Sequence, residues 1–242
     1  MKRMIFLIGV VMMTTLTGCS FYSFVAGSGT PITLQYSLSG FTCIQASQSF
    51  AVQVVPDASF SVTVTFDDNL APYILVQTQG DSTLVLGLKQ GYSYQNVHLS
   101  AVVHMPAIST LDGSGACGFQ VDAGYSSAAP VSIALSGAST FACAGMTCGD
   151  VTVDVSGASS ATLAGSAANE TIIASGASRA NLINCAGISA NVTLSGASEA
   201  WVEVGRGDLV LSASGASTLY YGGSPALHLL DLSGASKIVQ VY

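Results

Sequence analysis

The chain has 242 residues, is half hydrophobic and carries only 8% charged residues, a composition that excludes an intrinsically disordered protein. Its formal net charge is −7 at pH 7, so its surface repels phosphate backbones and nucleic acid is not an expected partner. Its 26 glycines and few charges are typical of stacked β-strands that are joined by tight corners.

The first pattern in the chain is that of an export signal. Two basic residues at positions 2–3 precede an apolar run over residues 4–16. This run is shorter than the roughly 20 residues that a membrane-spanning helix needs, but it has the length of a secretory h-region. The sequence Leu-Thr-Gly-Cys at residues 16–19 resembles the lipobox of bacterial lipoproteins. The resemblance implies a signal peptide over residues 1–18 and lipid on Cys19, whereas the alternative is an ordinary signal peptide with an incidental cysteine.

A lipid on Cys19 would be the attachment of the mature chain to a membrane. Without Lys2 and Arg3, four basic and thirteen acidic residues remain, so the net charge becomes 4 − 13 = −9. No basic patch could then hold anionic headgroups. In lipoproteins a serine after the acylated cysteine, here Ser20, directs sorting to the outer membrane. Residues 19–29 are expected to form a short tether between the lipid and the folded domain.

Residues 30–112 show strand patterns without a repeated motif. Examples are residues 51–55, 61–66 and 82–86, which are rich in β-branched residues and are separated by turn sequences. No change of composition separates this segment from the rest of the chain. It is therefore expected to form irregular coils of the same domain.

The tetrapeptide Ser-Gly-Ala-Ser recurs through the second half of the chain. It begins at Ser136, Ser156, Ser175, Ser195, Ser214 and Ser233, and a near-copy begins at Ser114. The spacings are 22, 20, 19, 20, 19 and 19 residues. A period near 20 is too short for paired helices and is typical of one turn of a β-solenoid. We therefore predict an all-β fold, a single-stranded parallel β-helix (β-solenoid) over residues 30–242, with the Ser-Gly-Ala-Ser coils at 113–242.

The residues on each side of the motif alternate between apolar and polar. Positions three and one before the first serine are mostly apolar, as are positions five and seven after it. This is the period of strands with one buried face, one strand entering each motif and one leaving it. The alternation breaks at the motif, which predicts a corner. There the glycine would bend the backbone, the alanine would point into a narrow interior, and the serines would stack in columns with hydrogen bonds between coils.

Five cysteines follow Cys19, and an exported chain can form disulfides. Cys143 and Cys148 flank a predicted corner and are the candidate pair. The cysteines have neither the Cys-x-x-Cys spacing nor the nearby histidines of a metal site. Neither a metal nor a cofactor is therefore expected.

The motif series resembles the putative auto-transporter adhesin head domain family, also called the GIN domain. The resemblance rests on Leu-Asp-Gly-Ser-Gly-Ala at residues 111–116, the recurring Ser-Gly-Ala-Ser coils, and Ser-Gly-Phe at residues 39–41 with the strand patterns that follow. It covers residues 30–242. It implies a β-helical exported domain, often part of an envelope lipoprotein, and it brings no catalytic residues.

The outward position six residues after each first serine holds two aromatic residues on adjacent coils. In chain order this position is occupied by Ala142, Thr162, Asn181, Trp201, Tyr220 and Val239. Aromatic rings stack favourably on sugar rings and pack well against partner proteins. We therefore expect a glycan- or protein-binding patch of Trp201 and Tyr220. Its expected rim is Arg179, Glu199, Glu203 and Lys237. The alternative is that the C-terminal tail or an oligomer mate covers the two rings.

Three classes of function remain open. The leading one is a non-enzymatic cell-envelope lipoprotein that presents a β-solenoid for adhesion or for binding of surface ligands. A carbohydrate-active β-helix enzyme would need clustered carboxylates, whereas the acids are scattered one or two per coil. A structural or sensory envelope module without an external ligand is the third. The last coil is expected to present an open edge, which a second copy could cap in a homo-oligomer.

Overall fold

The computed structural model of the chain describes residues 23–80 and 82–242, so the expected signal peptide and Cys19 lie outside the described residues. The described elements are strands apart from one short 3-10 helix, Asp68–Leu70. Within these ranges no helix is long and apolar enough to cross a membrane. The all-β prediction is confirmed.

The strands form two long sheets and one short ribbon. In chain order the first twelve are β1 (Ser23–Ala26), β2 (Pro31–Tyr36), β3 (Cys43–Ala46), β4 (Ala51–Pro56), β5 (Ser61–Asp67), β6 (Ile74–Gln79), β7 (Thr83–Leu88), β8 (Tyr92–Gln95), β9 (Leu99–Met105), β10 (Thr110–Gly113), β11 (Gly118–Val121) and β12 (Tyr125–Ser126). The other twelve are β13 (Val131–Leu135), β14 (Thr140–Thr147), β15 (Val151–Val155), β16 (Ser160–Ser166), β17 (Asn169–Ala174), β18 (Arg179–Gly187), β19 (Ser189–Leu194), β20 (Glu199–Val204), β21 (Asp208–Ala213), β22 (Thr218–Gly223), β23 (Ala226–Leu232) and β24 (Lys237–Gln240).

Each repeat contributes one strand to each long sheet. The 10-stranded sheet has the order β23-β21-β19-β17-β15-β13-β10-β3-β7-β6. The 12-stranded sheet has the order β2-β5-β9-β4-β11-β14-β16-β18-β20-β22-β24, with β12 paired to β14. From β10 onward these pairings are parallel, so the coils stack as the repeat period predicts. The parallel β-solenoid is confirmed.

The core lies between the inner faces of the two sheets. In the 10-stranded sheet the position three residues before each motif is a buried ladder of Ile133, Val153, Ile172, Val192 and Leu211. The positions five and seven residues after the first serine are buried in the facing sheet, from Phe141 to Tyr221. Each buried Val or Leu contributes about 1.5–3 kcal/mol. A coil buries its inner face only against its neighbours, so the coils are stable as a stack.

The corner formed by each Ser-Gly-Ala-Ser differs from the prediction in one respect. The glycine adopts a positive φ, for example 75° at Gly137, as expected of a bend. The motif alanine, however, is exposed, and it is the fourth residue that points inward. The serines at this position, from Ser139 to Ser217, are at most 2% exposed. The prediction that the motif alanine points into the interior was therefore wrong.

The buried serine closes its own corner. Ser178 Oγ donates to the carbonyl oxygen of Ser175 at 2.8 Å, and Ser139, Ser198 and Ser217 make the equivalent bond at 2.8–3.0 Å. The expected columns of serine–serine bonds are a minor feature, since a bond such as Ser217–Ser236 is 3.4 Å long. The coils are joined instead by the backbone, as where Ala177 N donates to Gly157 O at 2.8 Å.

Residues 30–112 are more complex than irregular coils. The first coil, β3 and β4, is not at an end of the solenoid but lies between β7 and β9 on one side and β10 and β11 on the other. Three pairings here are antiparallel: β2 with β5, β5 with β9, and β6 with β7. The chain thus returns on itself to build the N-terminal end, and β2 and β6 are the outermost strands of the two sheets there.

The tether expected over residues 19–29 is contradicted for its described part. Ser23–Ala26 form strand β1, which pairs in parallel with β8 as a separate two-stranded ribbon. The backbone of Gly27 continues the pairing by donating to Gln95 O at 3.0 Å. The folded domain therefore begins no later than Ser23.

Candidate functional site

The predicted aromatic column lies on the outer face of the 12-stranded sheet. Backbone pairing aligns Ala142, Thr162, Asn181, Trp201, Tyr220 and Val239 on successive strands, as the repeat numbering predicts. Trp201 and Tyr220 are half-buried, while Ala200 and Val202 beside Trp201 are buried in the core. Trp201 and Tyr220 therefore point outward on adjacent coils.

The two rings stack on one another. Their centroids are 5.0 Å apart and their planes are inclined by only 8°. This separation is close to the spacing of about 4.8 Å between neighbouring strands. Each ring therefore covers one face of the other, and they do not form a flat platform over the sheet. The other face of the indole is turned toward Asn181, and the other face of the phenol is turned toward Val239.

An ion pair flanks the stack in the next outward column. Arg179 and Glu199 are paired across β18 and β20, and Arg179 Nε lies 2.7 Å from Glu199 Oε2. The column continues through Thr218 to Lys237 on β24. With its arginine side chain 67% exposed, the pair contributes at most about 1 kcal/mol to stability. All four expected rim residues therefore lie on this face of the sheet. Arg179, Glu199 and Lys237 stand in this column, and Glu203 stands on the other side of Trp201.

Glu203 is partly covered by the end of the chain. It pairs with Gly222 on β22, and a Cβ atom added at Gly222 would collide with Glu203 Oε2 and with the ring of Tyr242. Glu203 Oε2 is buried without a hydrogen-bond partner. The tail, fixed where Val241 N donates to Tyr221 O at 2.9 Å, thus contacts the Glu203 edge of the patch, and the rings of Trp201 and Tyr220 remain partly exposed.

An open depression on the same sheet face was not predicted. It has a volume of about 490 Å³ and is lined by β4, β9, β11 and β14. Small residues at outward positions, Ala51, Gly118 and Ala142, form its floor, and Gln53 and Gln120 carry amides beside it. From Ala142 to Trp201 there are three strand intervals, or about 14 Å. Residues 30–112 lack the motif, so their outward columns could not be aligned from the sequence.

A buried carboxylate is the second feature that sequence analysis missed. Glu170 is 1% exposed and occupies an inward position, paired with Val151 and Ala190 on the neighbouring strands. Both carboxylate oxygens lack a hydrogen-bond partner at normal geometry, and burial raises the pKa of Glu170 to about 8. The group is therefore mostly protonated at neutral pH. Glu170 stands at a position that is apolar in the neighbouring coils. This break in the apolar pattern is visible in the sequence.

Three buried cysteine thiols, Cys143, Cys148 and Cys185, lie in the same part of the core as Glu170. Burial raises the pKa of Cys185, and it raises that of Cys148 to about 11. The disulfide expected between Cys143 and Cys148 is not formed in the structure, where all five described cysteines are free thiols. Both side chains point into the apolar interior, which stabilises the protonated thiol over the reactive thiolate.

The three histidines lie on the surface as partners of aspartates. His98, His104 and His228 each lie beside one aspartate, and the ring-nitrogen to oxygen distances are 3.0–3.3 Å. The rings are at least about a third exposed, as expected of surface residues. Over residues 23–80 and 82–242, no three His, Cys, Asp or Glu side chains are grouped so that they could hold a metal ion.

Several solved structures share the fold. A putative adhesin from Bacteroides fragilis is 18% identical with a TM-score of 0.81, and the alignment covers 90% of this chain and 100% of that one. A putative lipid binding protein from Parabacteroides distasonis is 16% identical with a TM-score of 0.73 and coverages of 91% and 100%. A putative adhesin from Parabacteroides merdae is 16% identical, with a TM-score of 0.67 and the same coverages. None of the curated proteins matches the chain.

The family assignment rests on a match of the sequence itself. The model of the family described as putative auto-transporter adhesin, head GIN domain, matches residues 40–225, which is most of the solenoid. The coil of β3 and β4 and the motifs from Ser114 to Ser214 lie inside this match, whereas the last motif, at Ser233, lies beyond it. The chain therefore belongs to the putative auto-transporter adhesin head GIN domain family.

Proposed function

We propose that this protein is a non-enzymatic, lipid-anchored envelope protein that binds a surface glycan or protein through the Trp201–Tyr220 stack. The observation that carries the proposal is the stack itself, two parallel rings 5.0 Å apart on the outer face of a sheet. Stacked rings of this kind present an exposed apolar face beside polar groups. Aromatic residues in such settings dominate the affinity of many interfaces.

The geometry favours a ligand that docks against the face of Trp201 that Tyr220 does not cover. That face is turned toward Asn181 and Thr162, whose side chains are smaller than the rings. The Arg179–Glu199 pair lies along one side and supplies hydrogen-bonding groups. A sugar ring or an apolar side chain of a partner could stack on the indole while its polar groups reach this pair.

The family supports a binding role rather than catalysis. Its description is that of an adhesin head, and two of the similar structures are named putative adhesins. Binding without turnover is the function that these observations favour.

Export and anchoring complete the proposal. The signal pattern over residues 1–18 would direct secretion, and acylation of Cys19 would hold the mature chain in the outer membrane. Mass spectrometry of the N-terminal peptide tests this directly. We expect the mature chain to begin at acylated Cys19, and we expect Cys19→Ser to leave the membrane fraction. An unmodified N-terminal peptide would refute the anchor.

A binding screen tests the patch. The mature protein is applied to arrays of glycans and of extracellular-matrix proteins, and each hit is repeated with the Trp201→Ala, Tyr220→Ala double variant. The variant should lose at least about tenfold in affinity, or 1.4 kcal/mol. The matched control is Ile188→Ala, which removes an apolar side chain that is 63% exposed on another part of the surface. Wild-type affinity of the double variant for every hit would refute the proposed patch.

A further inference from the structure

The β1–β8 ribbon stands apart from both long sheets and carries exposed aromatic residues. Phe24 on β1 is 57% exposed, and Tyr92 on β8 is 38% exposed. Phe24 is paired with Ser93, so these two residues share one face of the ribbon, opposite Tyr92 and Tyr94. A Phe that is more than half exposed on a paired strand requires an explanation.

The other side of the ribbon is an ordered aromatic cluster. The ring centroids of Tyr73 and Tyr92 are 4.8 Å apart, and those of Tyr73 and Tyr94 are 6.1 Å apart. The Tyr94 hydroxyl donates to the carbonyl oxygen of Lys89 at 2.7 Å. Tyr and Trp are enriched where membranes meet water, because their rings are apolar at one end and polar at the other.

Chain length places this ribbon next to the proposed lipid. Four residue steps separate Cys19 from Ser23, the first residue of β1. Four steps span at most about 14 Å even when fully extended. The polar layer on each side of a bilayer is roughly 5–8 Å thick, from the difference between the total and hydrocarbon thicknesses. An acylated Cys19 would therefore hold β1 inside or directly above the headgroups.

We propose that the β1–β8 ribbon is a membrane-seating element, which inserts Phe24 among the lipid headgroups and brings Tyr92, on the opposite face of the ribbon, to the same level. This inference rests on the proposed acylation of Cys19. The occupant is a lipid surface rather than a protein because the tether leaves no room for a partner between the ribbon and the bilayer. The net charge of the mature chain excludes electrostatic attraction, so the contact depends on the aromatic rings.

The ribbon is fixed to the solenoid, so seating it would orient the whole domain. Val25 packs against the core, and Asn69 Nδ2 donates to the carbonyl oxygen of Ala26 at 2.7 Å. Ser28 N donates to Asn69 Oδ1 at 3.0 Å. In the 12-stranded sheet, six strand intervals separate β9, which follows the ribbon, from β20, which carries Trp201. Six intervals correspond to about 29 Å, so the coils would rise from the membrane and hold Trp201 away from it.

Quenching of tryptophan by brominated lipids tests this arrangement. Trp201 is the single tryptophan of the chain, so the wild type carries its own distal reporter. The proximal reporter is Phe24→Trp in a Trp201→Phe background, and Tyr92→Trp in the same background is a second one in case the first does not fold. Full-length proteins are purified in their processed form and are reconstituted into phosphatidylcholine vesicles with or without bromine on the acyl chains.

We expect bromination to reduce the emission of the Phe24→Trp reporter at least about twofold and to leave that of Trp201 unchanged. Phe24→Asp should abolish the quenching of the Tyr92→Trp reporter, whereas Ile188→Asp, a control on an exposed residue of the coils, should not. Unquenched reporters on an acylated protein would overturn the seating and leave the anchor intact. Equal quenching of Trp201 would overturn the upright orientation. A protein without an acyl chain would refute both the anchor and the seating.

Discussion

At the scale of single residues, the motif glycine meets two separate requirements. Its φ of 75° at Gly137 lies in the left-handed region, where a Cβ is unfavourable. A Cβ there would also lie 2.5 Å from the carbonyl oxygen of Gly115 on the preceding coil. The first requirement belongs to the turn and the second to the stacking of coils. The close approach of the corners, more than the bend, explains why the glycine recurs in every motif.

Substituting Gly137 and Gly40 separates the two requirements. Gly40 has a similar φ of 82° but nothing within 4 Å of an added Cβ. Gly40→Ala should therefore cost only the conformational penalty, about 1–2 kcal/mol. Gly137→Ala should cost clearly more, because the neighbouring coil must move. Urea unfolding measures both free energies, and equal losses would contradict the proposed clash between coils.

The buried carboxyl group of Glu170 predicts a pH-dependent stability. Its folded pKa of about 8 lies above the ordinary value of 4.5, so between these values the folded chain holds a proton that the unfolded chain has lost. Stability should then fall by up to about 1.4 kcal/mol per unit as the pH rises from about 4.5 to about 8, and this loss should stop above that range. Thermal unfolding at several pH values measures it. Glu170→Gln should remove this slope and Glu199→Gln should keep it, whereas an unchanged slope in Glu170→Gln would contradict the assignment.

At the scale of elements, the corner works as a small hydrogen-bonded unit. The fourth residue of the motif folds back under the bend and donates to the carbonyl of the first, as Ser178 does to Ser175. Ser178 Oγ also lies 3.0 Å from the carbonyl oxygen of Val155 on the preceding coil. In the near-copy of the motif, Cys117 takes the same place, and its Sγ lies 3.2 Å from the carbonyl oxygen of Ser114. A small side chain that can donate a hydrogen bond is therefore the common requirement.

Exchanges at Ser178 test this requirement. Ser178→Ala removes the donor of the Ser175 carbonyl oxygen, whereas the Val155 carbonyl oxygen still accepts from Ser175 N, and it should destabilise the protein by about 1–3 kcal/mol. Ser178→Cys keeps a weaker donor and should lose less. Both free energies of unfolding come from the same urea titration. If the alanine variant is as stable as the wild type, the hydrogen bond is not what selects serine.

The sequence predicted the elements that repeat and missed those that do not. Side chains in strands alternate with a period of two, so a fixed repeat aligned inward and outward columns, including Trp201 beside Tyr220. The orientation of the motif alanine was wrong because alanine and serine are both small, and the bend at the glycine decides which points inward. Residues 61–66 were predicted as a strand, but the antiparallel pairing of β5 with β2 and β9 and that of β6 with β7 were missed, because these strands lie outside the repeats that align the later coils. The depression near Gly118 lies among these same coils.

At the scale of the molecule, the solenoid is a stack with two different ends. Its N-terminal end is built from strands that return antiparallel, whereas the other end is the last parallel coil of β23 and β24. Val239 and Val241 at that end are 38% and 41% exposed. Coils in such a stack gain stability from their neighbours, so an end coil with one neighbour is the weakest unit.

Hydrogen exchange tests this difference along the stack. Amides of β24 should exchange at least about a hundredfold faster than those of β18, which has paired strands on both sides. The measurement is native-state exchange followed by mass spectrometry at low protein concentration. Equal protection of the two strands would contradict an open end and would indicate that a second copy covers it.

The emission of Trp201, the single tryptophan of the chain, reports directly whether the ligand docks against this residue. The ligand found in the screen is titrated into the wild-type protein while the fluorescence of Trp201 is recorded. Docking against Trp201 predicts a saturable change in emission whose midpoint equals the dissociation constant measured independently, and Tyr220→Ala should shift both values together. Saturation of binding without any change in the emission of Trp201 would contradict it.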